Sequence, residues 1–371
     1  MIDTSGTWSK GFDLAQAFNL LELCVNLNNP GVYACDTGAW SAVLPGTPDD
    51  PVTVLGPWDN AWKLWRLNDT SQGETFAIVI RGTIGAKPSI IEDVITTSIS
   101  AQSAIIKAWD DGYLSFRLAG NDRAESHLGF TYGLAVLLFA NEHGILSSLK
   151  THVPAGSKLL ITGHSQGAAV ATLLHAFLHY AINDPDDRYG LRDRGHSLKS
   201  YVFAQPKPGN VAFAMDFARI AASQGTAFTI NNSRDFVTEV PLSLESLEEP
   251  GDDLMAQLDA GHASIALKGA FAMFRRGLLA AQDVRNLVSR ACERITEAPL
   301  QAWNSPVSQM DETYKSTVVP TIPEAASTNF TTVGALIPVF GDPPGTPGVV
   351  AGDPLYHHHL PTYRGLMQGQ L

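Results

Sequence analysis

The chain has 371 residues, of which 44% are hydrophobic and 17% charged, and a formal net charge of −12. That composition excludes a disordered or fibrous protein and leaves enough apolar material for a large core. The acidic excess is spread along the chain. It argues against nucleic acid, which needs clustered cations to displace phosphate counterions, and against electrostatic docking on anionic lipid.

In chain order, residues 9–27 repeat apolar side chains at helical spacing (Phe12, Leu14, Phe18, Leu21, Cys24, Val25), which predicts an amphipathic helix. A Pro/Gly/Asp-rich loop over 43–59 follows. Ala61–Leu67 and Thr75–Arg81 then read as strands joined by a turn-rich connection, the second apolar enough to be covered on both faces. Residues 84–126 are irregular, with apolar patches at Ile90, Ile91, Val94, Ile95 and Ile99 and again at Ile105, Ile106 and Trp109.

Further on, Phe130–His143 predicts a helix, Lys158–Thr162 a strand and Gln166–Ile182 a helix. Ser200–Ala204 and Ala227–Asn231 are strands flanking a helix over Ala212–Ala222. Strands alternating with helices predict an α/β fold with a mostly parallel sheet covered on both faces. A helical insertion over 245–300, with Leu267, Phe271, Phe274 and Leu278 on one face, and a Pro/Gly-rich loop over 300–354 complete a single domain spanning 1–371.

Cys24, Cys35 and Cys292 form neither a disulfide framework nor a metal-ligand spacing, with a Cys24–Cys35 bridge left open. The first residues lack a basic and then apolar leader, and no run of about 18 apolar residues occurs, so a cytoplasmic chain or a processed secreted one is expected.

The chemistry centres on LLITGHSQGAAVATLL. A strand enters Gly163-His164-Ser165-Gln166-Gly167 and a helix leaves it, which is the strand–turn–helix setting that gives G-x-S-x-G its meaning. Such a turn exposes the Ser165 hydroxyl and sets a helix N-terminus behind it, where developing negative charge is stabilised. A serine hydroxyl is a weak nucleophile until a base takes its proton, and the base needs a carboxylate to orient it. Asp235, just past a strand, is the candidate acid; the acids of LESLEEPGDD lie in a solvated run.

The base is sought near the C-terminus, where His357, His358 and His359 are adjacent and the residues alone do not choose among them. His175 and His179, one turn apart on the elbow helix, read as packing or surface groups. An oxyanion hole needs two convergent N–H groups: one from Gln166, after the nucleophile, and one from the loop after FAIVI, at Arg81-Gly82-Thr83.

Five separated landmarks over residues 75–365 resemble the class 3 (fungal-type) lipases of the α/β-hydrolase superfamily. They are Arg81–Thr83, His127-Leu128-Gly129-Phe130, the GHSQG elbow, the YVFAQPKPGN segment (Tyr201–Asn210) and NSRDFVTEVP. The resemblance implies Ser165 as nucleophile, Asp235 as triad acid, and Thr83 with Gln166 as oxyanion hole. A histidine five residues before a tyrosine is frequent in such proteins, so Tyr363 points to His358 as base, with His359 as runner-up. It also implies a lid over 84–110, and hydrolysis of an ester lipid of the acylglycerol class at a lipid–water interface without cofactor, metal or obligate protein partner. A phospholipase A1 or a short-chain carboxylesterase is the alternative within enzymes, and a lipid-binding protein that kept the fold is the alternative outside them. The sequence departs from the family pattern at Ala204, where Gly is usual, at Gln166 and Ala168, and in the length of 252–354.

Overall fold

The computed structural model describes residues 9–28, 31–43, 52–53, 61–82, 98–109, 111–141, 143–240 and most of 310–371. The helical insertion expected at 245–300, Thr83, and the lid positions Ile90, Ile91, Val94 and Ile95 lie outside the described residues.

The strands are β1 (Trp40–Ala42), β2 (Val52–Thr53), β3 (Ala61–Leu67), β4 (Thr75–Ile80), β5 (Ser98–Ser100), β6 (Ala104–Trp109), β7 (Gly112–Phe116), β8 (Glu125–His127), β9 (Lys158–His164), β10 (Ser197–Phe203), β11 (Gly209–Asn210), β12 (Ala227–Asn232), β13 (Phe330–Thr331) and β14 (Ala335–Val339). The helices are α1 (Leu14–Asn28), α2 (Leu128–Phe139), α3 (Ile145–His152), α4 (Gln166–Ile182), α5 (Val211–Ile220) and α6 (Leu360–Gln370).

The main sheet runs β1-β3-β4-β9-β10-β12-β14, with β2 on β3. From β4 to β14 every neighbouring pair is parallel, and the antiparallel pairs are confined to the β1–β4 end. Parallel strands are joined by crossover helices, so both faces are covered and the strands carry apolar side chains on both sides. On β4, Phe76, Ile78 and Ile80 enter one core with α2, α3, α4 and α5, while Ala77 and Val79 enter a second core with α1 and α6.

Local sequence sets the helix ends. Asp13 caps α1, its carboxylate accepting from the Gln16 N–H. His127 caps α2, its Nδ1 accepting from the Phe130 N–H at 3.3 Å. The α2 helix ends at Phe139, four residues earlier than its apolar run suggests, because Ala140 leaves the helical region at φ −58°, ψ 147° and α3 starts at Ile145.

Two stretches read as irregular contain strands. Within 84–126, β6 and β7 form an antiparallel hairpin whose Ile106, Trp109, Leu114 and Phe116 are buried; the Phe116 ring lies 5.6 Å from that of Phe139. The part of the expected lid beyond residue 97 is therefore core. Its alternation is short and broken by a bulge, which weakens the strand signal. Within 300–354, β14 forms the edge of the main sheet. Its Pro338 argues for a loop in sequence but is tolerated on an edge strand.

Candidate active site

The expected site residues that are described, Ser165, Gln166, Asp235 and His358, gather at the carboxyl ends of the parallel strands, where open α/β sheets hold their ligands. β9 ends at His164, and Ser165 follows at φ 59°, ψ −134°, a conformation that L side chains avoid. Glycines make the turn possible. A Cβ on Gly163 would lie 2.3 Å from Gly167 O, and one on Gly167 would lie 2.4 Å from Ile80 O, so either side chain would collide with backbone. The Ser165 N–H donates to Phe203 O on β10, which locks the turn to the neighbouring strand. α4 starts at Gln166, whose side chain is buried and whose N–H lies in the first turn of the helix. This sharp strand–serine–helix turn at the centre of a mostly parallel, doubly covered sheet is the α/β-hydrolase arrangement.

The neighbouring strand carries a second positive φ. Ala204, the residue after β10, sits at φ 53° and is fully buried. That conformation explains why glycine is usual there; alanine adopts it at a cost of about 1–2 kcal/mol.

Asp235 follows β12 and caps the one-turn helix Phe236–Glu239, its Oδ1 accepting from the Val237 N–H at 3.0 Å. Its Oδ2 lies 2.9 Å from His358 Nδ1 and accepts from Tyr363 Oη at 2.8 Å. His358 Nε2 in turn lies 2.8 Å from Ser165 Oγ. A neutral imidazole that donates from Nδ1 to a carboxylate leaves the Nε2 lone pair facing the serine hydroxyl, the tautomer a general base requires. Of the three adjacent histidines, only His358 meets both groups. His359 Nε2 pairs with Asp353 Oδ2 at 2.9 Å on a partly exposed surface, and His357 contributes its carbonyl to Asn232 Nδ2.

Three supporting residues went unassigned in the sequence. His164, the residue before the nucleophile, donates from Nε2 to His358 O at 2.8 Å, and their rings lie 4.7 Å apart. Burial, and next the neighbouring His358, hold its pKa well below the usual histidine value, so it stays neutral beside the base. Tyr363, used above only as a spacing marker, also accepts from the Asn232 N–H at 2.9 Å; burial and then Asp235 raise its pKa, keeping the hydroxyl a donor. Asn28 accepts from the Gly82 N–H at 2.9 Å, reaching from the end of α1 to the turn after β4. Only for Tyr363 did the sequence hold a signal, its interval from the histidine run.

Cys24 and Cys35 are free thiols, and burial pushes Cys24 up to about 12, which makes it inert. Among the described residues no cluster of His, Cys, Asp or Glu is placed to hold a metal ion, and no helix is long and apolar enough to cross a membrane.

Residues 77–245 match the family model described as lipase (class 3). The secreted mono- and diacylglycerol lipase A of Penicillium cyclopium and that of Penicillium camembertii are each 37% identical over 86 residues, 23% of this chain. The match also spans 23% of each relative, less than a quarter of its length. Among solved structures, the M37 lipase aligns over 96% of this chain and 92% of its own at 19% identity and a TM-score of 0.48. The Rhizomucor miehei lipase–propeptide complex aligns over 62% and 63% at 20% identity and a TM-score of 0.39. The stretch similar to the class 3 lipase model, residues 77–245, carries both Ser165 and Asp235.

Proposed function

We propose that this chain hydrolyses carboxylic esters, with an acylglycerol as its substrate class, through an acyl-enzyme on Ser165. The observation that carries the reading is the continuous hydrogen-bonded line from Ser165 Oγ through His358 to Asp235 Oδ2, at 2.8 and 2.9 Å. Ser165 Oγ attacks the ester carbonyl while His358 Nε2 takes its proton. The imidazolium is stabilised by Asp235 and then passes the proton to the departing alcohol. Water, activated by the same imidazole, releases the acid and restores the serine.

The tetrahedral oxyanion is assigned to the Gln166 N–H at the start of α4 and to a donor from the loop after β4, with Thr83 as the expected residue. The substrate class rests on the stretch similar to the class 3 lipase model and on the mono- and diacylglycerol lipases that resemble part of the chain. As with those secreted relatives, the enzyme is taken to meet its lipid from the aqueous side.

Two measurements test the reading. A fluorophosphonate label should attach to Ser165, and a series of p-nitrophenyl esters of increasing chain length should be turned over both below and above their solubility. Preference for emulsified acylglycerol supports the lipase. Faster turnover of short soluble esters would place the chain among carboxylesterases, and selective release of the first acyl chain of a phospholipid among A1 phospholipases. No labelling and no turnover would leave a lipid-binding protein on a hydrolase fold.

A further inference from the structure

The turn after β4 is pinned to the nucleophile elbow by a side chain from the first helix. The Arg81 N–H donates to Ala61 O and the Gly82 N–H to Asn28 Oδ1, so neither of these peptide groups is free to turn elsewhere. The turn and the elbow are in backbone contact. A Cβ on Gly82 would stand 2.5 Å from His164 O and 3.1 Å from Ser165 Cβ. Whatever moves Gly82 therefore moves the wall beside the nucleophile.

Asn28 is an expensive way to fill its place. Its Nδ2 is buried and has no hydrogen-bond partner. An orphaned buried donor of this kind costs about 1–3 kcal/mol, which an apolar side chain of the same size would avoid. A side chain that tolerates an unpaired donor in order to present an acceptor is explained by what the acceptor holds. It holds a glycine, the residue with the widest backbone freedom, at a position where that freedom would be harmful. α1 is itself packed on β4 and β9, so the anchor is rigid with respect to both strands that build the site. Asn28 also lies outside the 77–245 stretch similar to the class 3 lipase model, so the family match says nothing of it.

We propose that Asn28 is a positioning residue for ester hydrolysis, its Oδ1 fixing the Arg81–Gly82 turn against Ser165 so that the loop presents its oxyanion donor in register. The proposal rests on the hydrolase reading above. Asn28 acts through Gly82 and touches no reacting atom. An oxyanion donor is effective only within about 2.7–3.1 Å of the oxygen it stabilises, so loosening the turn should lower the rate of the chemical step and leave substrate binding alone.

The test compares Asn28→Leu and Asn28→Ala with the unaltered chain on a soluble short-chain p-nitrophenyl ester, together with fluorophosphonate inactivation and thermal melting. Leucine fills the volume without an acceptor, and alanine, which adds no bulk, serves where leucine disturbs folding. Both variants should lose about tenfold or more in kcat and in inactivation rate, with KM within about twofold, since removal of an oxyanion donor outright costs about a hundredfold. The leucine variant should melt no lower than the unaltered chain. Unchanged kcat in Asn28→Leu, a loss in alanine alone, or a rise in KM at constant kcat would each overturn the role. An unaltered chain that neither turns over ester nor takes the label would instead remove the hydrolase reading on which the role rests.

Discussion

The two faces of the main sheet hold the two halves of the site by different means. The nucleophile belongs to the face covered by α2, α3, α4 and α5. There the turn at Ser165 is set by close backbone approach at the two glycines beside it, Gly163 against Gly167 O and Gly167 against Ile80 O on β4. The base belongs to the other face, where α1 and α6 pack together. His358 is held by hydrogen bonds with residues far away in sequence: to Asp235, 123 positions off, and from His164, 194 positions off. Arg364 on α6 pairs with Glu22 on α1, tying the base's segment to the first helix. Local sterics thus shape the nucleophile, and long-range polar contacts place the base. The first arrangement rests on close backbone approaches within the sheet, whereas the second depends on every tie that holds the C-terminal segment.

The largest effect expected from breaking this pairing is on turnover alone. Ser165→Ala should lower kcat by about a thousandfold or more while melting as the unaltered chain does, because triad members act as a unit. His358→Ala should do the same, whereas His359→Ala, which loses only its surface pair with Asp353, should keep most activity. Near-normal turnover in Ser165→Ala would sink the hydrolase reading. A dead His359 variant beside a working His358 variant would move the base by one residue.

On the nucleophile's face the next largest effect is on the fold. Gly163→Ala would set a Cβ 2.3 Å from Gly167 O, a backbone atom that cannot swing aside. Overpacking of this kind should cost about 3 kcal/mol. Chemical denaturation measures it; a loss below about 1 kcal/mol would show that the elbow can relax, and local sterics would no longer account for the shape of Ser165. On the base's face the corresponding break is polar. Tyr363→Phe keeps the ring but leaves the Asn232 N–H without its acceptor and removes one donor from Asp235. A stability loss of about 2 kcal/mol is expected from the orphaned amide. A roughly tenfold fall in kcat at constant KM should accompany it, since the carboxylate that orients His358 is loosened. Full activity in this variant would mean that the Val237 N–H and His358 alone suffice to hold Asp235.

The same contrast explains what was legible in the sequence. The elbow was readable because its cause is local: Gly163, Ser165 and Gly167 stand within five positions, with a strand before them and a helix after. Asp235 was readable for a similar reason, lying directly past β12. His358 could be chosen among three neighbours only through its interval from Tyr363, because the bonds that select it join residues more than a hundred positions apart. His164 and Asn28 left no mark, since a buried histidine or asparagine is defined by partners that spacing does not reveal. In the fold, β14 was missed because Pro338 disguises an edge strand, and the β6–β7 hairpin because its alternation is bulged. Thr83 stays an expectation from the resemblance, outside the described residues.

The smallest expected effect concerns pH and separates the two faces by their buried histidines. On the nucleophile's face, His175 of α4 bonds Ser200 Oγ on β10 at 2.8 Å and packs edge-on against Phe217. Burial, and next the nearby His179, push its pKa down from 6.5 to about 3. In the unfolded chain His175 takes up a proton near pH 6.5, whereas in the fold it does so only near pH 3. Between those values the unfolded state binds more protons, so stability is complete above about pH 6.5 and declines as the pH falls toward 3. His164, lowered by the same cause, adds a share of the same sign from the base's side. Each pH unit within such a window is worth about 1 kcal/mol per group. His175→Gln, which keeps a partner for Ser200 but does not titrate, should therefore lose about 1 kcal/mol less than the unaltered chain between pH 7.5 and 5.5. The comparison is between variant and parent at each pH, so any constant cost of the substitution cancels. Parallel stability curves would mean that His175 is already as easily protonated in the fold as outside it, and that the core under α4 admits charge.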